Sequence, residues 1–229
     1  MFYAVVRFLV RPLVYLLFRP KVIGKANLPK RGPAILAANH LGVGETFLIP
    51  VLMPPQITFP AKQELFQGRS PGQRLLSWFL RKAHQVPIDR AGGGEASVAL
   101  GSVYDVLEQG GFVAVFPEGH RSPDGRLYKG HTGVARLALT SGAPVIPVGC
   151  FRTRFVKGIL PWPWLYRPQL CIGEPMAVDP IMRQNFLEAT QHRESAEILR
   201  AFTAEVMDRI AAITGQAVVD RYSTAVKSH

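Results

Sequence analysis

Two short apolar runs, each followed directly by polar residues, constrain the fold of this chain most strongly. The first run, AILAA, begins the strand predicted at Ala34–Asn39, and the second is Phe112–Phe116, FVAVF. Continuous apolar runs of this length are typical of strands that are covered on both faces, as in a parallel sheet. Because helix-like segments separate such runs, we expect an α/β fold with a mostly parallel β-sheet flanked by helices.

The same patterns predict further elements along the chain. Strands are predicted at Ile57–Ala61, Gln85–Ile88, Pro144–Cys150 and, as an edge strand, Leu170–Gly173. Helices are predicted at Glu45–Met53, from a Ser70-Pro71 cap to about Ala83, and at Glu95–Gln109, Gly130–Thr140 and Ser195–Thr214. Gly158–Pro168, GILPWPWLYRP, fits neither class because its prolines oppose regular structure. Its aromatic residues predict a loop that is either folded onto the core or placed at a bilayer interface.

The N-terminal segment Phe2–Phe18 is apolar except for Arg7 and Arg11. As a helix it would rise about 26 Å, less than the ~30 Å hydrocarbon core of a bilayer, and each inserted arginine would cost about 2.5–3.5 kcal/mol. A transmembrane span and a secretory signal are therefore both disfavoured. Since the arginines share one helical face, the helix either lies in the lipid headgroup layer, which we favour, or docks on the protein. We expect residues 1–21 to be a membrane-associating helix.

Positive charge is unevenly distributed along the sequence. The net charge is +11, no acidic residue precedes Glu45, and a second stretch without acids runs from Gly125 to Gly173. Such regions attract polyanions, which include nucleic acid, an anionic bilayer and phosphorylated small molecules. Composition alone does not choose among these partners.

A histidine and an acid stand five residues apart after the first predicted strand, in the sequence NHLGVGE. Residues five apart on a continuous helix lie about 140° apart and cannot meet. Gly42 and Gly44 allow a tight reversal, so Glu45 can open the next helix and turn back toward His40. A hydrogen bond from one imidazole nitrogen to this carboxylate leaves the other nitrogen as a base. Because no GxSxG motif is found, the group that His40 activates is most simply a substrate hydroxyl.

The second polar cluster, FPEGHRS at Phe116–Ser122, is predicted to lie at the same edge of the sheet. The guanidinium of Arg121 suits phosphate, and a turn at Gly119 can expose backbone N–H groups to an anion. Lys62 in AKQEL and Arg90 in VPIDR also follow predicted strands. Together these loops predict a phosphate-binding pocket beside the base.

These segments together resemble the glycerolipid acyltransferase family, the 1-acylglycerol-3-phosphate acyltransferases and their relatives in the lysophospholipid acyltransferase superfamily. The family's first motif is Asn-His, four residues, then Asp, and this chain has Asn39-His40, four residues, then Glu45. The family's Phe-Pro-Glu-Gly-Thr-Arg-Ser corresponds to Phe116–Ser122, with His120 in place of Thr. The blocks NLPKRGPAILAANH, AKQEL, PIDR and APVIPV follow in the family's order. The resemblance implies one acyltransferase domain at residues 22–229, with its core motifs within 34–150.

The resemblance implies transfer of a fatty acyl group to a hydroxyl of glycerol 3-phosphate or its monoacyl form, in phosphatidic acid biosynthesis. The donor would be acyl-CoA or an acyl carrier protein thioester, with no cofactor and no metal. By resemblance, His40 is the general base and Glu45 orients it. The residues implied to bind or position the acceptor are Lys62, Arg90, Glu118, Gly119, Arg121 and Ser122. Because the thioester is cytoplasmic and no export signal is visible, we expect a peripheral location at the cytoplasmic face of the cell membrane, on an anionic surface.

Two other functions remain open at this point. The same pair could activate water in a thioesterase, and the sequence pI of about 10.1 also suggests a nucleic-acid-binding module. The chain lacks a recognisable helix-turn-helix, zinc or RNP signature, so we expect no nucleic-acid partner. Glu45 also reaches one methylene further than the family's Asp, so the pair requires a correspondingly wider turn.

Overall fold

The computed structural model describes residues 2–54, 56–68, 70–83, 85–88, 101–157, 163–189 and 192–223. The helices in these ranges are α1 (Phe2–Phe18), α2 (Gly44–Leu52), α3 (Pro71–Lys82), α4 (Gly101–Glu108), α5 (Gly133–Ser141), α6 (Pro180–Glu188) and α7 (His192–Thr214). The strands are β1 (Lys21–Ile23), β2 (Ala34–Ala38), β3 (Ile57–Thr58), β4 (Pro60–Lys62), β5 (Val86–Ile88), β6 (Phe112–Val115), β7 (Leu127–Tyr128), β8 (Val145–Phe151), β9 (Val156–Lys157), β10 (Pro163–Trp164), β11 (Gln169–Ile172) and β12 (Val218–Val219). Short 3-10 turns occur at Lys25–Asn27 and Gln63–Phe66.

Six strands form the central sheet, in the order β1-β11-β8-β2-β6-β3. Every neighbouring pair is parallel except β11 with β8. All five residues of β2 are buried, as expected for a strand covered on both faces. The α/β fold and the mostly parallel sheet predicted from the apolar runs are therefore confirmed.

Alternate residues of β2 contribute to two separate cores, one on each face of the sheet. Leu36 packs in a core with Val14 of α1 and Leu48 of α2. Ile35 points to the opposite core, which also contains Leu107 of α4 and residues of α5 and α7. The sheet thus separates a layer with α1 and α2 from a layer with α4, α5, α6 and α7.

The prediction that Leu170–Gly173 forms an edge strand is wrong. The observed strand β11 lies between β1 and β8, and β1 forms the edge of the sheet. Three residues with a mostly exposed pattern, KVI after α1, gave too short a signal for a strand. The predicted strand Ile57–Ala61 is also divided at Phe59 into β3 and β4, which belong to different sheets.

The aromatic segment is more regular than its prolines suggested. Pro163 and Trp164 form β10, which pairs with β9, and a proline is tolerated at the first residue of a strand. Leu165 is fully buried, whereas Tyr166 is exposed. Residues 158–162 lie outside the described part of the chain, as do residues 89–100 at the start of the helix predicted at Glu95–Gln109. Helix α6, capped by Asp179, was not predicted.

Helix α1 docks on the domain along one side, which includes both Arg7 and Val14, and exposes apolar side chains on its other side. The Arg7 guanidinium donates hydrogen bonds to the carbonyls of Met53, at 2.9 Å, and Pro54, just beyond the end of α2. Val14 is buried against the core, while Phe8 is 78% exposed. Of the helices in the described residues, none combines the length and apolar character needed to cross a bilayer.

Candidate active site

Both predicted polar clusters lie at the same edge of the sheet. Strands β2 and β6 are parallel neighbours, with Ala37 opposite Val115 near their carboxyl ends. The residues that follow, starting at Asn39 and Phe116, therefore emerge side by side. This adjacency could be expected from the sequence once both runs were recognised as parallel strands.

The imidazole of His40 contacts the carboxylate of Glu45. The distance from Nδ1 to Oε1 is 2.8 Å, and the backbone N–H of Gly42 donates to the same oxygen at 2.8 Å. Glu45 is fully buried in the first turn of α2. That turn is fixed by a 3.1 Å hydrogen bond from the Gly44 N–H to the carbonyl of Thr153. The turn accommodates the longer glutamate side chain.

This contact defines the tautomer of the neutral His40 imidazole. Since a carboxylate accepts hydrogen bonds, Nδ1 carries the proton and Nε2 holds the lone pair. Among the described residues, no group bonds to Nε2. The ring stacks on Phe116 with centroids 4.0 Å apart and an angle of 11° between planes. The side chain remains 16% exposed, so a base is available to a ligand.

Glu118 binds backbone groups of its own chain with both carboxylate oxygens. Oε1 accepts from the His40 N–H at 2.8 Å and Oε2 from the Tyr128 N–H at 2.9 Å. Glu118 is fully buried, and burial raises the pKa of its carboxyl to about 7, against the opposing effect of those two hydrogen bonds. The nearby charge of Glu45 raises this pKa further. Glu118 therefore holds the backbone of His40 next to that of Tyr128.

The loop after β6 contains the other predicted residues. Gly119 has a φ of 72°, a conformation that favours glycine, and a Cβ there would lie 3.0 Å from the ring of His131. The buried Ser122 hydroxyl accepts from the Gly125 N–H at 2.9 Å, and the Ser122 N–H donates to the His40 carbonyl at 2.7 Å. Ser122 therefore orders the loop, whereas Arg121 is exposed.

The side chains of the two remaining predicted cations, Lys62 and Arg90, lie outside the described part of the structure. Lys62 is the last residue of β4, which pairs with β5 outside the central sheet. Arg90 lies outside the described residues. Their predicted roles at the acceptor phosphate stay predictions.

Two cavities adjoin the loop that follows β2. The first, of about 430 Å³, is mainly apolar and is lined by His40, Phe116 and residues of α1, α2 and α3. The second, of about 630 Å³, is lined by Leu41, Gly42, Val43, His120, Arg121, Ser122, Pro123, Arg154, Phe155 and Ser223. We call them the apolar cavity and the cationic cleft.

Sequence reasoning missed several residues that hold these loops. The Arg154 guanidinium donates to the carbonyls of Leu41, at 2.9 Å, and Ser122, and so links both motifs. The Asn39 side-chain amide exchanges hydrogen bonds with the backbone of Cys150, at 3.1 and 2.6 Å, and donates to Gln216 at 2.8 Å. Arg154 lies in the second acid-free stretch, which was a usable signal, but nothing local pointed to Gln216.

Comparisons with known proteins agree with the motifs. A model of the family described as Acyltransferase matches residues 19–151. The chain is 31% identical over 197 residues to a 1-acyl-sn-glycerol-3-phosphate acyltransferase of Bacillus subtilis (strain 168), covering 83% of this chain and 85% of that protein. A protein of the same name from Pseudomonas aeruginosa is 28% identical over 202 residues, covering 85% of this chain and 71% of that protein.

A solved structure gives the same result for the fold. The crystal structure of the 1-acyl-sn-glycerophosphate (LPA) acyltransferase PlsC from Thermotoga maritima is similar, with a TM-score of 0.58 at 26% identity. The similarity covers 87% of this chain and 74% of that one. Because the family match spans more than half of the sequence and the Bacillus relative aligns along most of both proteins, this chain belongs to the acyltransferase family.

Proposed function

We propose that this protein transfers a fatty acyl group from an acyl thioester to the free hydroxyl of 1-acylglycerol 3-phosphate, forming phosphatidic acid. The observation that carries the proposal is the 2.8 Å contact between His40 and Glu45, with His40 lining an apolar cavity and the next three residues lining a cationic cleft. The names of the bacterial relatives support the acceptor.

In the proposed reaction, Nε2 of His40 takes the proton of the acceptor hydroxyl as its oxygen attacks the thioester carbonyl. The tetrahedral intermediate then collapses, the carbon–sulfur bond breaks, and the leaving thiolate receives the proton from the imidazolium. Glu45 holds the ring and stabilises its positive charge. General base catalysis of this kind typically contributes about 10²–10⁴-fold in rate.

The apolar cavity is the proposed site of the acyl chain. Its walls include Val10, Phe47 and Leu80, which offer hydrocarbon and aromatic surface for a fatty acyl group. His40 and Phe116 also line this cavity, so a chain bound there places its carbonyl near the base. Filling the cavity removes apolar surface from water, which supplies binding free energy.

The cationic cleft is the proposed site of the phosphate. Arg121 and Arg154 line it, and both side chains are exposed to solvent. A planar guanidinium binds phosphate oxygens in a bidentate manner. Lys62 and Arg90 stay proposed as further phosphate ligands.

We also propose that residues 1–21 attach the enzyme to the cytoplasmic face of a membrane. Support comes from the apolar side chains that α1 exposes, namely Val5, Phe8, Leu9, Leu13, Leu16 and Leu17. Arg19 and Lys21, which follow the helix, would attract anionic lipid.

The test is a transfer assay with the purified chain and a panel of acceptors. Labelled acyl-CoA and acyl carrier protein thioester are offered with glycerol 3-phosphate, its monoacyl form and other lysophospholipids, and the position of the new ester is determined. The His40→Ala variant should remain folded and lose transfer. Wild-type activity in that variant would refute the proposed mechanism.

The same assay separates the thioesterase alternative. Release of free fatty acid is measured with and without acceptor. An acyltransferase should release little fatty acid and form an ester when the acceptor is added. Hydrolysis at the full rate without acceptor would instead favour the thioesterase.

A further inference from the structure

Helix α3 exposes a row of large apolar side chains on one side. We call Leu75, Leu76, Trp78 and Phe79 the α3 surface; Leu75 is 67% exposed and Trp78 is 50% exposed. Ser77 lies on the other side of the helix, where its hydroxyl donates to the carbonyl of Phe66 at 3.0 Å. A contiguous apolar patch of this kind marks an interaction surface.

The charges around this patch indicate what kind of partner covers it. Arg74, Arg81 and Lys82 are exposed on the same helix, and the helix contains no acidic residue. The adjoining 3-10 turn carries one acid, Glu64, which leaves the region basic. A basic helix with exposed tryptophan and leucine is typical of elements that lie in the interface of an anionic bilayer.

The α3 surface is also continuous with the rim of the apolar cavity. Phe79 and Leu65 line that cavity and are each about 40% exposed. Val6 and Val10 of α1 line the same cavity, and the neighbouring Leu9 of α1 is exposed. Exposed apolar side chains of α1 and α3 therefore border one opening.

We propose that α3 is a second lipid-binding element, which lies on the same anionic bilayer as α1 with the rim of the apolar cavity between them. The inference deepens the proposed function, because it rests on the assignment of α1 to a membrane surface. In this arrangement an acyl chain passes between the bilayer and the cavity without crossing water. Lipid attachment thus depends on α3 as well as on α1.

The test measures vesicle binding of the full chain with both exposed residues changed, Leu75→Ser with Trp78→Ser. Vesicles of phosphatidylcholine, with and without phosphatidylglycerol, are sedimented and the bound fraction is measured. Losing two interfacial apolar side chains should lower the partition coefficient by about tenfold. The wild type should bind the vesicles with phosphatidylglycerol more strongly than those without it.

The chain offers a closely matched control on the opposite face of the sheet. Ile181 and Leu187 of α6 are 70% and 55% exposed, so Ile181→Ser with Leu187→Ser removes comparable apolar surface. This variant should bind vesicles like the wild type. Equal binding losses in both double variants would overturn the inference, as would unchanged binding in the α3 variant.

Two further readouts keep the outcomes distinct. Transfer of a short acyl group, measured without vesicles, should be the same in the α3 variant and the wild type, which shows that the variant is folded. If the wild type lacks transfer but the α3 variant still loses vesicle binding, the proposed function is refuted while the assignment of α3 as a lipid-binding element is supported. A changed sedimentation coefficient with unchanged vesicle binding would assign α3 to a second copy of the chain and overturn the inference.

Discussion

At the scale of single residues, the two oxygens of the Glu45 carboxylate differ in their hydrogen bonding. Oε1 accepts from His40 and Gly42. Oε2 is buried and has no hydrogen-bond partner among the described residues. A glutamine here can keep its carbonyl oxygen in the position of Oε1, so the substitution isolates the role of the negative charge.

Glu45→Gln should lower kcat by roughly 100-fold, because the imidazolium loses its counter-charge while the tautomer is retained. KM for the acyl thioester should change by less than about threefold, since the lost interaction acts in the transition state. Glu45→Asp should lower kcat by about tenfold, because its carboxylate stops one methylene short of His40. Steady-state kinetics decide this, and a Gln variant with wild-type kcat would contradict it.

Glu118 predicts a pH dependence of stability. Its carboxyl has an ordinary pKa of 4.5 and a folded-state pKa of about 7. Between these values the folded chain holds more protons than the unfolded chain, so the free energy of unfolding falls as pH rises. The raised pKa of Glu118 contributes about 3 kcal/mol to the free energy of unfolding. This contribution is fully present below pH 4.5 and is lost once pH passes about 7.

Glu118→Gln should remove this dependence, although it also weakens one backbone hydrogen bond at every pH. Urea unfolding at about pH 5 and about pH 8 measures the effect, and the difference between wild type and variant should shrink at the higher pH. A difference that is equal at both pH values would show that Glu118 does not titrate in this range.

Single residues also show which contacts of the site can be predicted from the sequence. The contact between His40 and Glu45 was predictable, because a short glycine-containing turn leaves few other arrangements. The placement of Glu118 was not, because its partner at Tyr128 depends on a turn that local patterns do not define. The role of Gln216 depends on a contact with Asn39 across 177 positions of sequence, which no local signal reveals.

At the scale of elements, the start of α2 depends on a close approach to the segment after β8. A Cβ on Gly44 would lie 2.2 Å from the carbonyl oxygen of Thr153, which belongs to the backbone. Gly44→Ala should therefore displace the first turn of α2 and Glu45 with it. We expect a loss of about 1–3 kcal/mol in unfolding free energy and a fall in kcat of tenfold or more, by overpacking and by misplacing the acid.

Gly72 in the first turn of α3 provides the matched control. A Cβ there would have no atom within 4 Å, and alanine favours the helix by up to about 1 kcal/mol over glycine. Gly72→Ala should keep the wild-type kcat and raise the unfolding free energy slightly. Thermal and urea unfolding of both variants, with kinetics, check the pair; equal behaviour would refute the role of the Gly44 contact.

Elements with strong local signals were predicted well. Helix α3 begins at Pro71 after a Ser70 cap whose hydroxyl accepts from the Gln73 N–H at 3.3 Å, and α5 ends at Ser141 with Gly142, at φ 73°, as its C-cap. The edge of the sheet was missed because β1 has only three residues. Its partner β11 lies far along the chain, so this pairing is a tertiary contact that local patterns do not show.

At the scale of the whole molecule, the apolar cavity should limit the length of the acyl chain. Ala83 at the end of α3 lines this cavity and is buried. Ala83→Leu would fill part of it. We expect kcat/KM for a long acyl donor to fall by about tenfold relative to a short one, because each excluded methylene loses apolar contact. Competition between long and short donors measures the ratio, and an unchanged ratio would exclude Ala83 from the chain-binding site.

The cavity itself could not be predicted from the sequence. Its walls come from α1, α2 and α3 and from the strands between them, so they meet only when these helices pack on one face of the sheet. The charge distribution could be predicted, because the stretches without acidic residues are visible in the sequence itself. Arg121 follows β6 and Arg154 follows β8, the two strands that flank β2 in the sheet. Only the fold brings these two arginines to one cleft.

His40 borders the apolar cavity, and the three residues after it border the cationic cleft. An ester formed by His40 would therefore form where the apolar cavity meets the cationic cleft. With the acyl chain in the apolar cavity and the phosphate in the cationic cleft, as we propose, the product would leave with its apolar and polar ends already separated.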